Sequence, residues 1–430
     1  MAFQGMRVLS SVVTAMLLAA CVARPTGAPP TSAPPTYLSP TGASPIAPTV
    51  TANPECPGNL PSDPAWVCRK DIPTESAGYQ RARFALGVID VSSADQLSLL
   101  FTAKASWGEY GYGHIAFSPD SRYVALGSSG SPLYVFALPW REQGVLEVPP
   151  SGLSSKYLGS HANALAFSPD SRQIALALVD EAVVLVDPAT AKPQATLEPI
   201  PRPSSVAFVE GGTRLVVGTD TWPAPSLQLW DLPSTSLIRD LAPGGTNGGV
   251  CDVAVSPDGK VLAASYCLYS YRVLTWDIAT QYSPLTTMYG LNQPPYDCGH
   301  CSFDYFRNIL AFAPNSATIA SATGWDDVVL FDPRTGKLRF VLWPARMIDV
   351  SSAVDPGPIA GIAFGADGHV LVIAAGSELQ LRNPLDGMFL LHTQNPSGSS
   401  FGSVAISPDS RLLVTVDWDG VVGFWGVPPE

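Results

Sequence analysis

The stretch HIAFSPDSRYVALG, from His114 to Gly127, decides the fold of this chain. It joins two short apolar segments through a Ser-Pro-Asp-Ser turn. Six further copies are ALAFSPDSRQIALAL (Ala164 to Leu178), SVAFVEGGTRLVVG (Ser205 to Gly218), DVAVSPDGKVLAAS (Asp252 to Ser265), ILAFAPNSATIASA (Ile309 to Ala322), GIAFGADGHVLVIA (Gly361 to Ala374) and SVAISPDSRLLVTV (Ser403 to Val416). The copies recur every 41 to 57 residues. A repeat of this length predicts stacked or radially arranged modules.

Each copy is predicted to be a β-hairpin. In the turn, Pro fixes φ at the second position, Asp or Asn tolerates the backbone conformation of the third position, and Ser or Gly occupies the last position. The second segments, such as QIALAL, are nearly continuous apolar runs, which is typical of strands covered on both faces. A third apolar strand follows most copies, for example LYVFAL from Leu133 to Leu138. A variable segment containing a fourth, outer strand is expected to lead to the next copy.

The repeat resembles one known family. Aligned on the alanine of each first strand, the copies are spaced from 41 residues (Ala166 to Ala207) to 57 residues (Ala254 to Ala311). Two third strands end in Trp-Asp, at Trp230-Asp231 and at Trp276-Asp277. Over about residues 84–427 the chain therefore resembles the WD-repeat β-propeller family. That resemblance implies an all-β fold, a seven-bladed β-propeller of four-stranded antiparallel blades. A six-bladed relative with similar turns is the alternative, and seven countable hairpins favour seven blades.

The last copy stops after its third strand, which leaves an edge open to another chain. The segment DQLSLLFTA, from Asp95 to Ala103, precedes the first copy where a fourth strand is missing. We therefore expect the N- and C-terminal strands to close the ring together. The segment from Phe84 to Val91 is also strand-like, and the sequence leaves open whether it pairs or only leads in.

The amino end is predicted to be a targeting segment. Arg7 precedes a mostly apolar run that ends in Leu-Ala-Ala-Cys at Cys21, and this ending resembles the lipobox of bacterial lipoproteins. The resemblance implies cleavage before Cys21 and lipidation of that cysteine, so that an extracytoplasmic protein is lipid-anchored to a bacterial membrane or cell surface. An ordinary secretory signal with an incidental cysteine is the alternative.

Composition divides the chain into four predicted parts. Residues 1–20 are the lipoprotein signal peptide, and residues 21–54 form a Pro/Thr/Ser-rich linker without apolar periodicity. Residues 55–83 are a cysteine-stapled lead-in, and residues 84–430 form the propeller. The net charge of −12, from 24 Lys and Arg against 36 Asp and Glu, argues against a nucleic-acid partner, because phosphates require basic side chains.

Six cysteines besides Cys21 are predicted to form disulfides, since the predicted compartment permits them. We expect local pairs between Cys56 and Cys68, between Cys251 and Cys267, and between Cys298 and Cys301. The last pair lies in Cys-Gly-His-Cys, the motif of protein disulfide isomerases. A structural disulfide is favoured over a redox centre because propeller strands, not a thioredoxin fold, flank it. No metal or other cofactor is predicted, and a zinc site from four of these thiols is the weaker alternative.

Aromatic residues concentrate in the loops that share one face of such a propeller. Large rigid rings contribute binding area at low entropic cost, so these loops are the predicted partner-binding surface. For any single aromatic residue, the alternative is that its ring packs between blades and does not contact a partner. The predicted residues are Trp107, Tyr110, Tyr112, Trp222, Tyr269, Tyr271, Trp325 and Trp418.

The sequence contains no recognisable catalytic constellation, so no catalytic residue is assigned. We predict a non-catalytic recognition or scaffold module, monomeric, for protein or peptide partners, with glycans as another ligand class. The alternatives are a propeller enzyme, either a hydrolase or lyase in the central channel or a thiol-disulfide oxidoreductase at Cys298 and Cys301, and a spacer within a larger complex.

Overall fold

The computed structural model describes a defined set of residues. These are residues 67–68, 86–104, 113–128, 133–138, 146–148, 162–178, 181–190, 192–221, 226–241, 249–266, 272–289, 310–322, 327–342 and 358–427. They form seven antiparallel sheets, so the predicted seven-bladed, all-β propeller is confirmed.

Within each blade, sequence-adjacent strands pair side by side, and the strands are numbered along the chain. The first strands are β3 (Gly113–Phe117), β7 (Ala162–Phe167), β11 (Pro203–Val209), β15 (Val250–Val255), β19 (Leu310–Phe312), β23 (Ile359–Phe364) and β27 (Phe401–Ile406). The second strands are β4 (Tyr123–Ser128), β8 (Ile174–Leu178), β12 (Arg214–Thr219), β16 (Val261–Tyr266), β20 (Ile319–Ala322), β24 (Leu371–Ala375) and β28 (Leu413–Asp417).

The remaining strands complete the sheets. The third strands are β5 (Leu133–Ala137), β9 (Ala182–Val186), β13 (Leu227–Asp231), β17 (Arg272–Asp277), β21 (Val328–Phe331), β25 (Glu378–Arg382) and β29 (Val421–Gly426). The outer strands of blades 1 to 6 are β6 (Leu146–Val148), β10 (Pro193–Leu197), β14 (Ser236–Asp240), β18 (Ser283–Tyr289), β22 (Leu338–Leu342) and β26 (Phe389–Gln394). In blade 1, β1 (Val67–Cys68) adds a fifth strand beside β6.

Both ends of the propeller contribute to blade 7. Its outer strand is β2 (Ser98–Lys104), which pairs antiparallel with β29 from Ser98 opposite Gly426 to Lys104 opposite Val421. This arrangement confirms closure by N- and C-terminal strands. The strand begins three residues later than the sequence predicts, because Ala94–Gln96 form a 3-10 turn.

The strand-like segment ahead of β2 is mainly a lead-in. Only Gly87 pairs, through a single bridge to Val427, and residues 84–85 lie outside the described part of the chain. The chain then turns because the Asp90 carboxylate accepts hydrogen bonds from the backbone N–H groups of Ser92 and Ser93. Its short polar side chain thus competes with strand pairing.

The Ser-Pro-Asp turns form as their chemistry predicts. In blade 1 the Ser118 hydroxyl donates to Asp120 at 2.7 Å and accepts from the backbone N–H of Tyr123 at 2.8 Å. Blades 2, 4 and 7 repeat the bond from serine hydroxyl to aspartate. The turn therefore satisfies its own polar groups and leaves the flanking strands free to pack.

The hydrophobic core lies between neighbouring sheets. One cluster, for example, packs Val183 and Leu185 of blade 2 against Val206 and Leu215 of blade 3. Because each sheet is covered on both sides, second strands such as β8 are buried at every residue. No helix among the described residues is long and apolar enough to cross a membrane.

Two faces follow from this meander. First-to-second and third-to-outer turns lie at one end of every blade, here called the turn face. Second-to-third turns and the connections between blades lie at the opposite end, here called the loop face. Of the predicted aromatic residues, Trp418 lies in the loop-face turn between β28 and β29.

Candidate functional site

A central channel runs between the two faces. The first strand is the terminal strand of every sheet, so its unpaired edge faces the centre of the ring. The seven first strands line a cavity of about 1050 Å³. The alanine that recurs in every copy lines it, at Ala116, Ala166, Ala207, Ala254, Ala311, Ala363 and Ala405. Several of these alanines also pack in or against the hydrophobic clusters between blades, for example Ala166 and Ala207.

Polar side chains link adjacent first strands around the loop-face end of the channel. The Asn163 amide donates to the carbonyl of Pro203 at 3.0 Å, and the Ser204 hydroxyl donates to the carbonyl of Val250 at 2.5 Å. The Asp252 carboxylate accepts from the backbone N–H of Leu310 at 2.8 Å. Each bond joins one blade to the next, so the mouth of the channel is held from blade 2 to blade 5.

Trp418 lies at this mouth. It lines the cavity together with Ser400, Phe401 and Gly376, and its side chain is 40% exposed. The backbone N–H of Trp418 donates to the carbonyl of Ser400 at 3.0 Å, which fixes the turn that presents the indole. A large ring that is carried on a hydrogen-bonded turn and exposed to solvent is suited to contact a partner.

The acidic residue beside Trp418 has a structural role instead. Asp417 is buried, and its carboxylate accepts from the backbone N–H of Val421 at 2.8 Å, from the Asn395 amide at 3.1 Å and from the Ser397 hydroxyl at 2.6 Å. These bonds cap the β28–β29 turn and tie it to the connection from blade 6. Asp417 therefore positions Trp418, and its carboxylate is shielded from a ligand.

Another loop-face aromatic residue packs in the core between blades. Tyr266 ends β16 fully buried, with the Arg272 guanidinium 5.4 Å from the centre of its ring. Burial raises the pKa of its phenol well above the usual value, and the charge of Arg272 acts in the opposite direction. In blade 4, therefore, an aromatic residue at the end of the second strand fills the space between sheets.

The other predicted binding residues lie outside the described part of the chain, so their roles stay predictions. These residues are Trp107, Tyr110, Tyr112, Trp222, Tyr269, Tyr271 and Trp325.

The cysteine predictions are likewise untested. Cys68 lies in β1 on the outer edge of blade 1, and Cys251 lies in β15 on the channel wall. Their predicted partners, Cys56 and Cys267, lie outside the described residues, as do Cys21, Cys298 and Cys301.

Sequence reasoning missed a polar ladder in blade 6. Along β25, the Arg382 guanidinium donates to the Gln380 amide oxygen at 3.0 Å, and the Gln380 amide donates to Glu378 at 3.1 Å. Glu378 also contacts His392 of β26, with Nε2 and Oε2 3.1 Å apart. Burial lowers the pKa of Arg382 to about 10, and Glu378 opposes that shift. The Arg382 guanidinium lies 3.5 Å from the centre of the Phe389 ring.

A sequence signal for this ladder exists. The sequence LQLRN at residues 379–383 matches LQLWD at residues 227–231, so Arg382 occupies the position of Trp230. In blade 3 the Trp230 indole donates to the Gln228 amide oxygen at 2.9 Å, which is the equivalent bond. In blade 6, therefore, the buried Arg382 guanidinium replaces the aromatic Trp230 of blade 3. The ladder lies within blade 6, apart from the channel.

A comparison with known protein families matches one part of the chain. Residues 389–426 match the family model of the WD domain, G-beta repeat. They comprise the outer strand of blade 6 and the three C-terminal strands of blade 7, with Trp418 in the matched turn. No curated protein matches the chain. Among the described residues, no group of three or more His, Cys, Asp or Glu side chains is arranged to hold a metal ion.

Proposed function

We propose that this propeller is a non-catalytic recognition or scaffold module that binds protein or peptide partners, with glycans as a further class, on its loop face. The exposed Trp418 at the mouth of the channel is the observation that carries this proposal. Asp417 holds the turn in place, so the backbone that carries the indole is already ordered before binding. WD-repeat propellers generally mediate protein interactions, and residues 389–426 match that repeat.

The proposal includes a lipid anchor at Cys21 and an extracytoplasmic location. A Leu-Ala-Ala-Cys ending after an apolar run supports both, and lipidation would tether the domain through the Pro-rich linker. Metabolic labelling with an alkyne-bearing fatty acid, compared between the full chain and Cys21→Ser, tests the anchor. We expect label and membrane association only with Cys21 present, whereas an unlabelled wild type would exclude lipidation.

Binding is tested with the purified full chain on peptide and glycan arrays and with extracytoplasmic proteins immobilised singly. Trp418→Ala is expected to weaken whatever binding is found by about tenfold, or about 1.4 kcal/mol. Leu237→Ala is the matched control, because Leu237 is comparably exposed on the outer strand of blade 3. Absence of binding to every probe, or equal loss with both variants, would contradict the proposal.

A further inference from the structure

A second surface on this propeller is apolar without a structural reason. The turn between β25 and β26 exposes Leu385 at 71% and Met388 at 65%. Within the part of the chain that the structure describes, these are the two most exposed large hydrophobic side chains. Both lie on the turn face, at the opposite end of the blade from the loop face.

The same turn occurs in blade 5 with charged residues. In blade 6 the Asn383 side chain accepts from the backbone N–H of Leu385 at 3.0 Å, and the N–H of Gly387 bonds the carbonyl of Asn383 at 2.8 Å. In blade 5 Asp332 makes both equivalent bonds, at 3.0 Å and 2.9 Å. Gly336 and Gly387 have φ values of 70° and 75°, so the two turns share one conformation.

The positions of Leu385 and Met388 are therefore free to be polar. Blade 5 has Arg334 and Lys337 there, and blade 2 has Lys192 at the position of Met388. The hydrogen bonds of Asn383 and Gly387 that build the turn do not require an apolar side chain at position 385 or 388. Two exposed apolar side chains on a turn that carries charges at both positions in blade 5 indicate a contact surface.

The lead-in exposes two further apolar side chains on the turn face. Val88 and Val91 are both exposed, and the N–H of Ile89 bonds the carbonyl of Ser410 at 2.7 Å, which places the segment on the turn face of blade 7. The following 3-10 turn contacts β26, the strand that begins directly after Met388. The lead-in therefore approaches blade 6 at the strand that follows Leu385 and Met388.

Acidic side chains lie among these apolar residues. Asp386 lies between Leu385 and Met388, where its exposed carboxylate also accepts from the backbone N–H of Met388 at 2.9 Å and from the Asn383 amide at 3.3 Å, and Asp90 lies between the two valines. The hydroxyl of Ser92 lowers the pKa of Asp90 more than any other group, so this carboxylate is ionised at neutral pH. The nearby cation Arg411 donates to the carbonyl of Leu86, on the inner side of the segment.

We propose that Val88, Val91, Leu385 and Met388, with Asp90 and Asp386, form a docking patch for a basic amphipathic segment of a protein partner. Apolar side chains of the segment would cover the four aliphatic residues, and its Lys or Arg side chains would pair with the two carboxylates. A second copy of this chain, which has a net charge of −12, would bring further negative charge to these two carboxylates, and anionic lipid would do likewise. The patch does not depend on the proposed loop-face function.

The test uses the full chain and a labelled synthetic helical peptide with Leu on one face and Lys on the other, followed by fluorescence anisotropy. Leu385→Ser/Met388→Ser leaves the charge unchanged and should weaken binding at least about tenfold. Asp386→Asn should weaken it less and reduce its dependence on salt. Leu237→Ser/Ile238→Ser, on the exposed strand β14, is the matched control and should bind as wild type, as should Trp418→Ala.

Several results would overturn the proposal. Equal binding of wild type and Leu385→Ser/Met388→Ser would show that net charge alone attracts the peptide. If a peptide with Glu in place of Lys bound equally well, charge complementarity would not be the basis of binding. Dimerisation in sedimentation, or flotation with phosphatidylcholine vesicles, that the same double variant abolishes would assign the patch to a second copy or to lipid. Unfolding midpoints of all variants should agree, because the substituted side chains are exposed.

Discussion

The hydroxyl of Ser410 accepts a hydrogen bond from the backbone N–H of Ala366 at 2.6 Å, across 44 residues of sequence. Ser410 ends the Ser-Pro-Asp-Ser turn of blade 7, and Ala366 lies in the equivalent turn of blade 6. Ser171 accepts in the same way from Asp120, and Ser316 from Asp258. The last serine of the motif therefore joins its own turn to that of the preceding blade.

This bond explains a costly backbone conformation. Ser410 has a φ of 52°, in the left-handed region that costs a non-glycine residue about 1 kcal/mol, and Gly259 and Gly368 occupy the equivalent position in blades 4 and 6. Ser410→Ala keeps the strain and loses the bond, so we expect a loss of about 1 kcal/mol in the free energy of unfolding. Ser410→Gly loses the bond but relieves the strain, so it should remain close to wild type. Urea denaturation measures both, and equal losses would contradict this explanation.

Blade 7 contains a second testable bond. The buried Trp425 indole donates to the Thr415 hydroxyl at 3.0 Å. Thr415→Val keeps the shape and leaves a buried N–H without an acceptor, so we expect a loss of about 1–3 kcal/mol in unfolding free energy. Thr415→Ser retains the oxygen and should lose less, mainly through its missing methyl group. If Val is tolerated as well as Ser, the hydrogen bond does not stabilise the blade.

Ring closure depends on β2. A chain that begins at Leu86 keeps this strand, whereas one that begins at Ala105 leaves the edge of β29 unpaired. We expect the shorter chain to aggregate or to unfold at a much lower temperature, because an open edge recruits other chains. Size-exclusion chromatography and thermal denaturation compare the two. A monomeric, equally stable shorter chain would show that closure does not require β2.

Acid should destabilise the propeller through its turn aspartates. The Ser168 hydroxyl is the largest influence on Asp170; together with the N–H of Arg172 it lowers the pKa of that carboxyl, against a smaller opposing effect of burial. Because the pKa is lower in the folded state, the stabilisation is present above the unfolded value of about 3.9 and is lost as pH falls through the folded value. Denaturation at pH 7 and in that acidic range should show a smaller acid-induced loss for Asp170→Asn than for wild type. The same loss in both would contradict this origin.

Local sequence predicts the blades well because their signals act over a few residues. The bonds of Ser118 to Asp120 and to Tyr123 span two and five positions, so the motif itself specifies the hairpin. The missing fourth strand of the last copy likewise predicts that β2 joins β29. The Ala94–Gln96 turn was missed because its backbone bonds follow no apolar periodicity.

The sequence and the tertiary structure decided different features of this protein. Sequence alone determined the seven hairpins and their order, since alternating turns and apolar strands need only near neighbours, and it determined closure of the ring through the missing fourth strand of the last copy. The tertiary structure decided that Trp418 is exposed while Tyr266 is buried, that Asp417 is occupied by its own turn, and that Leu385 projects into solvent. Exposure depends on what the next blade covers, and the residues that cover it lie tens of positions away along the chain.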